Sequence, residues 1–213
     1  MKYVFVHGIS QKPSSWDEVI SYLQEKISFD TLCPNWWSLL NGKDATYENV
    51  YTAFVDEINA HNNEKKSLSL CGLSFGGVLA LNYALDFPEN INALVLIGTQ
   101  CAFPKKMVKL QNAIFKFMPA SSFKKIGLMK KDMLTLNKSF MDLNLNQKVK
   151  NVTCPTLILY GENDRKIFKE AADYLAKNIS NSQLDFVKDA HHQVNEDNPK
   201  ELALKIGEFL NLI

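Results

Sequence analysis

The 213-residue chain has only four cysteines, Cys33, Cys71, Cys101 and Cys154, and no two of them stand at a C-x-x-C spacing. This argues against a disulfide scaffold and against a thiolate zinc site, and leaves the thiols as small buried hydrophobes in a reducing compartment. Cys71 as a nucleophile is disfavoured, because it falls inside an apolar run that reads as a strand. No apolar stretch approaches the ~20 residues needed to span a bilayer. Repeats and low-complexity tracts are missing too. The N-terminal run Tyr3 to Val6 ends in the turn His7-Gly8 rather than in a signal-peptide cleavage site, so it is expected to be a core strand of a cytoplasmic protein. A hydrophobic content of 46% with 22% charged residues fits one globular domain with a sizeable core.

Acidic residues are scarce in one place. Between Cys101 and Thr153 eleven lysines face only Asp132 and Asp142, a balance of +9, which leaves −8 for the remainder of a chain whose net charge is +1. The same stretch has no convincing strand. It carries short helical patterns over Lys105 to Met118, Ser121 to Leu128 and Lys131 to Phe140, and reads as a basic helical insertion.

Elsewhere short β-branched runs alternate with amphipathic stretches. Tyr3 to Val6, Leu68 to Cys71, Ala93 to Ile97, Thr156 to Tyr160 and Leu184 to Val187 read as buried strands, with Phe29 to Cys33 as a weaker sixth. Ser15 with Glu18 suggests a capping box opening a helix through Leu23. Tyr47, Val50, Tyr51, Phe54, Val55 and Ile58 repeat at helical spacing, so residues 46 to 60 should bury one helix face. Asn198-Pro199 reads as an N-cap followed by proline at the first helical position, with Leu202, Ile206, Phe209 and Leu210 on the inner side. Such alternation predicts an α/β fold, a mostly parallel sheet with helices on both faces. Residues 1–100 and 154–213 form its core, and 101–153 a cap over the strand ends.

Reactive groups gather where strands end. Gly72-Leu73-Ser74-Phe75-Gly76-Gly77 lies between the run Leu68 to Cys71 and the helical stretch Val78 to Leu85. A strand feeding a helix through G-x-S-x-G puts the serine on a sharp turn, with glycines relieving the clash. Gly161-Glu162-Asn163-Asp164 follows another strand, and Lys188-Asp189-Ala190-His191-His192 a third. Serine, acid and histidine thus appear in the order that nucleophilic catalysis on this architecture uses. The turn after His7-Gly8 can aim the amide of Ile9 beside that of Phe75, forming an oxyanion hole. Asp189 is the weaker substitute for Asp164.

Taken in order, His7-Gly8 with Trp16, the elbow at Ser74, Cys154-Pro155-Thr156-Leu157 leading to Gly161-x-x-Asp164, and Ala190-His191-His192 before Pro199 resemble the α/β-hydrolase family over nearly the whole chain. The short helical cap and the Ser-x-Gly-Gly elbow look most like carboxylesterases of the pimeloyl carrier-protein methyl esterase type. The resemblance implies a serine hydrolase with Ser74 as nucleophile, His192 as base and Asp164 as its orienting acid. It needs no metal or organic cofactor. His192 stands seven residues before Pro199, as the family's catalytic histidine does, and His191 takes the position of a usual glycine. The chain lacks two strands that commonly precede the His-Gly strand, and Cys33 to Ser38 replaces the family's usual glycine-rich loop. The sheet should therefore have about six strands, with the first as a candidate edge.

Other residues carry plainer readings. His7 should support the oxyanion turn, and His61 beside Asn62 and Asn63 should be solvated. Trp36 and Trp37 could be core or could line the substrate pocket. Met107, Leu110, Ile114, Phe117 and Met118 share a helical face that should pack on the body, with Phe117 and Met118 among the candidates for roofing an acyl pocket. The lysines of the insertion are either solvated or steer an anionic substrate, an acidic acyl-carrier protein or a membrane surface. Membrane contact is not the expected use, and the acidic body argues against nucleic acid. Besides an ester, a thioester substrate, lyase chemistry like that of a menaquinone-pathway member of this fold, and a receptor that binds without turnover all fit this pattern.

Overall fold

A computed structural model describes all residues except 26, 63–66, 125–127 and 213. Six strands, β1 (Lys2–Val6), β2 (Asp30–Leu32), β3 (Leu68–Leu73), β4 (Ile91–Ile97), β5 (Thr156–Gly161) and β6 (Ser182–Val187), form one sheet in the order β2-β1-β3-β4-β5-β6. Every pair is parallel. A parallel sheet is covered on both faces, so its strands must be apolar on both sides. β3, buried at all six positions, meets that demand most fully.

Alternation along β1 divides the core. Val4 and Val6 point to one side with Leu70, Leu94 and Ile158, where α2 (Tyr47–His61), α3 (Phe75–Asp86) and α7 (Lys166–Asn178) pack. Tyr3 and Phe5 point to the other with Cys71, Val95 and Leu159, under α1 (Asp17–Gln24) and α9 (Pro199–Phe209). Tyr47, Val50, Phe54 and Ile58 are the buried face of α2, and the Thr46 side chain accepts from the Asn49 amide to open it. Asn198 does the same for α9 through the Glu201 amide, with Pro199 at the first position.

Three details differ from the sequence reading. β6 is not a buried strand: it closes one edge of the sheet, only Val187 is buried, and Leu184 is 40% exposed. β1 is an inner strand between β2 and β3, and β2 takes the other edge. Three residues with one exposed and two half-buried side chains suit an edge better than the buried β1 does. The Ser15–Glu18 capping box does not form. A 3₁₀ turn over Pro13–Trp16 runs straight into α1, so Ser15 already lies inside the helical stretch and no side chain caps it.

The sheet order has a functional consequence. From β1 the chain places one neighbour on the left and then turns to the right, so the topological switch lies between β1 and β3. A crevice opens at the carboxyl ends of the strands at such a point. Ile9 follows β1 and Ser74 follows β3.

Between β4 and β5 lie α4 (Lys105–Phe117), α5 (Ala120–Lys124) and α6 (Lys130–Ser139). Their base is closed by a bridge pairing Ala102 with Asn144 and by the Leu145 amide donating to the Cys101 carbonyl at 2.7 Å. The pattern Ser121 to Leu128 is partly realised in α5, while residues 125–127 lie outside the described residues. In α4 the expected face is reversed. Met107, Leu110, Ile114 and Phe117 are 48, 64, 53 and 90% exposed, whereas Val108 is buried and Phe115 is half-buried. Asn137 of α6 donates to the Val108 carbonyl at 3.2 Å and turns that flank inward.

Candidate active site

Ser74 has φ 55° and ψ −116°, a backbone conformation that few side-chain-bearing residues adopt. The tightness of this turn explains its glycines. A Cβ on Gly72 would stand 2.4 Å from the Gly76 carbonyl oxygen, and one on Gly76 2.1 Å from that of Val6. The amide of Ser74 donates to the Ile97 carbonyl at 2.7 Å, which ties the turn to β4.

The turn brings the Ser74 hydroxyl to 2.9 Å from His192 Nε2, and His192 Nδ1 lies 2.9 Å from Asp164 Oδ2. A carboxylate only accepts, so Nδ1 carries the proton and Nε2 is left to accept from the serine. The Asp164 side chain is 1% exposed, and its other oxygen accepts from the Arg165 amide at 2.7 Å. Gly98, at φ 53° past the end of β4, makes room for the ring, since a Cβ there would meet His192 Cε1 at 2.9 Å. Phe168 of α7 stacks on the other side, centroids 3.9 Å apart. An imidazole held in one tautomer between a hydroxyl and a carboxylate can remove the hydroxyl proton during attack.

The remaining candidates separate cleanly. His191 is turned outward, its side chain 74% exposed and its ring 3.8 Å from Asp197. Asp189 is an exposed turn residue at φ 53°. His7 is fully buried, donates from Nδ1 to the Gly8 carbonyl, and is held neutral by burial, with its pKa down to about 4. His61 lies at the exposed end of α2 beside Glu57, and Asn63 falls outside the described residues. Cys71 is fully enclosed, and burial pushes its thiol pKa up, away from thiolate chemistry.

Trp36 and Trp37 do not line the cavity at Ser74. Trp36 is fully buried, stacks on His7 and donates from its indole to the His7 carbonyl at 3.1 Å. Trp37 donates to the Ile9 carbonyl at 3.4 Å. The two indoles thus hold the backbone on either side of Gly8, at the His7 and Ile9 carbonyls. Phe75 opens α3, so its amide has no acceptor within the helix. Ile9 and Phe75 both border the cavity.

A second support escaped the sequence reading. Gln11 and Asn195, 4% and 1% exposed, bond side chain to side chain at 2.8 Å. Gln11 Oε1 also accepts from the Gly8 amide at 3.3 Å, and Asn195 Nδ2 donates to the Ser15 carbonyl at 3.0 Å. The turn at Gly8 and the loop carrying His192 are thereby joined through buried amides. No spacing motif could have revealed residues 184 positions apart.

The cavity over Ser74 measures roughly 180 Å³, and Phe103, Gln111, Phe115, Met133, Asn137 and Phe140 form its far wall. Phe117 points away into solvent, and Met118 packs beside Phe123, Leu128 and Met133 instead of on the cavity. The reason is the rotation of α4, which turns Phe115 inward while Gln111, itself exposed, borders the cavity.

A profile of the alpha/beta hydrolase fold family matches residues 4–122. The human protein named monoacylglycerol lipase ABHD6 is 20% identical over 97% of this chain and 74% of its own length. A pimeloyl-[acyl-carrier protein] methyl ester esterase of Wigglesworthia glossinidia brevipalpis is 28% identical over 48% of this chain and 38% of its own. Among solved structures, MenH from S. aureus superposes with TM-score 0.79 at 19% identity, covering 99% of this chain and 93% of that one. The enol-lactonase from Burkholderia xenovorans LB400 gives 0.81 at 14% identity, covering 99% and 91%. Likeness to structures at such low identity establishes the fold alone.

Proposed function

The chain belongs to the alpha/beta hydrolase fold family, and from that premise we propose that it is a serine hydrolase cleaving a carboxylic ester through an acyl-enzyme. The observation that carries the reading is the unbroken relay from Asp164 through His192 to Ser74, 2.9 Å at each step, with the serine on a strained elbow. Ser74 attacks the ester carbonyl as His192 takes its proton. The amides of Ile9 and Phe75 hold the developing oxyanion, where one donor is worth ~100-fold or more in rate. His192 then protonates the departing alcohol, and water, deprotonated by the same imidazole, releases the acid. In this reading residues 101–153 act as the cap that shields the acyl-enzyme, with Phe115, Met133 and Phe140 against the acyl group. Relatives named as a monoacylglycerol lipase and a methyl ester esterase support an ester substrate.

The test is turnover of p-nitrophenyl acetate and of longer acyl homologues, each beside its matched thioester. Wild-type protein is expected to release p-nitrophenol with a burst equal to the enzyme concentration. Ser74→Ala should lower kcat by ~10⁴-fold or more while circular dichroism stays unchanged. Equal turnover by wild type and Ser74→Ala would overturn the reading. A thioester cleaved faster than its oxygen ester would move the assignment to a thioesterase.

A further inference from the structure

Five of the large apolar side chains that stand exposed among the described residues lie between positions 107 and 129: Met107, Leu110, Ile114, Phe117 and Met129. At 3.6 residues per turn the first four form one continuous stripe along α4. Lys105, Lys106, Lys109 and Lys116 of the same helix are all exposed, and at that repeat they fall to one side of the stripe. α4 contains no acidic residue at all. Its C-terminal end is pinned, because Lys130 donates to the carbonyls of Lys116 and Met118 at 2.6 and 2.7 Å. Phe117 therefore projects from a fixed end. The sequence pattern alone sends this face onto the body and away from a membrane, and its exposure reverses that expectation.

We infer that α4 is a docking surface for an anionic lipid bilayer, lying along it with the Met107–Phe117 stripe in the headgroup boundary and the lysines over the acidic headgroups. An apolar stripe beside a basic flank is the composition that holds a helix in a membrane interface. Charge fixes the orientation. The insertion carries +9 and the remainder of the chain −8, so an anionic surface attracts this side and repels the rest. Charge also disfavours a second copy as the occupant, since a symmetric contact through α4 would set lysines against lysines. Contiguous exposed apolar patches of this kind mark contact surfaces rather than ordinary solvent-facing area.

Placement next to the cavity gives the surface a use. Gln111 and Phe115 of the same helix line the cavity at Ser74, so docking would bring it within about one helix diameter, ~10 Å, of the lipid. A volume of roughly 180 Å³ is below the ~300–1,000 Å³ of sites that enclose a whole drug-sized ligand. A long acyl chain entering from the bilayer would be held by its reacting end and need not leave the apolar phase completely. The inference goes beyond the ester-hydrolase reading and does not depend on turnover.

Co-sedimentation with vesicles tests it, using Ser74→Ala protein beside wild type so that catalysis plays no part. Phosphatidylcholine vesicles containing about one-third phosphatidylglycerol should bind the protein about tenfold more tightly than pure phosphatidylcholine, and high salt should erase the difference. The double variant Ile114→Asp/Phe117→Asp should lose about tenfold in vesicle binding. Its p-nitrophenyl acetate turnover and circular dichroism should stay as in wild type, because both residues are already exposed. A second variant, Lys105→Gln/Lys109→Gln/Lys116→Gln, should keep its fold and lose only the preference for anionic vesicles. Absence of vesicle binding by wild type, or equal binding by either variant, would overturn the inference. A dimer in analytical ultracentrifugation that Ile114→Asp/Phe117→Asp disperses would also overturn it, assigning the stripe to a second copy.

Discussion

α3 and α4 are helices of nearly equal length beside the same cavity, yet they solve opposite problems. Ten of the twelve residues of α3 are buried, whereas Val108 alone is buried among the thirteen of α4. α3 begins at the elbow and runs through the core, so its buried packing holds the Ser74 turn in place. α4 touches the rest of the protein along a narrow flank, so its sequence answers to whatever lies outside.

The comparison can be broken most forcefully at the elbow. Gly76→Ala sets a methyl group 2.1 Å from the Val6 carbonyl oxygen, and backbone cannot yield as a flexible side chain can. A loss of ~4 kcal/mol or more in urea unfolding, or no folded protein, is expected. One pair of leucines makes the contrast direct. Leu79→Ala in α3 should cost ~2–5 kcal/mol by leaving a cavity, whereas Leu110→Ala in α4 should stay within ~0.5 kcal/mol. Equal costs would remove the distinction between the two helices.

His7 sharpens the same contrast through pH. Its folded pKa of about 4 lies below the ordinary 6.5, so on acidification the unfolded chain takes up this proton first. The stability contributed by the neutral buried ring is thus whole above pH 6.5 and falls as pH drops toward 4. The change is roughly 3 kcal/mol. His7→Asn should flatten the dependence of unfolding free energy on pH over that window, and an unchanged slope would show that His7 is not the group responsible. Gln11→Ala is next in size. It leaves the buried Asn195 amide with fewer partners and should cost ~1–3 kcal/mol. If the amide of Ile9 holds the oxyanion as proposed, a ~10-fold fall in kcat with little change in KM should accompany it, as the Gly8 turn and the histidine loop lose register. The exposed Leu110 change remains the smallest of the series.

Much of this architecture was legible because the inner strands are short, nearly continuous apolar runs, as in β3 and β4, each closed by a turn residue. Ser74, Asp164 and His192 could be picked out because each follows a strand at its carboxyl end. Their meeting at hydrogen-bond distance is a property of the sheet order, which local pattern does not encode. The same limit misplaced β1, since an edge is defined by neighbours and not by the strand's own residues. Trp36 could not be assigned between core and pocket, because its role lies in a bond to the His7 carbonyl. For α4 the amphipathic pattern gave the helix correctly but not the side on which the body lies. An apolar face signals an apolar environment, and here Val108, Phe115 and the bond from Asn137 give the inward flank to other residues. The Gln11–Asn195 link had no signal, being a pair of isolated amides far apart in the chain.

The central claim is that Ser74 is an activated nucleophile. Intact-mass measurement after incubation with a fluorophosphonate, followed by peptide mapping, tests it most directly. The account predicts one adduct per chain, located on Ser74, and none on Ser74→Ala or on wild-type protein unfolded in urea. Folded protein that remains unmodified, or carries its adduct at another residue, would contradict it.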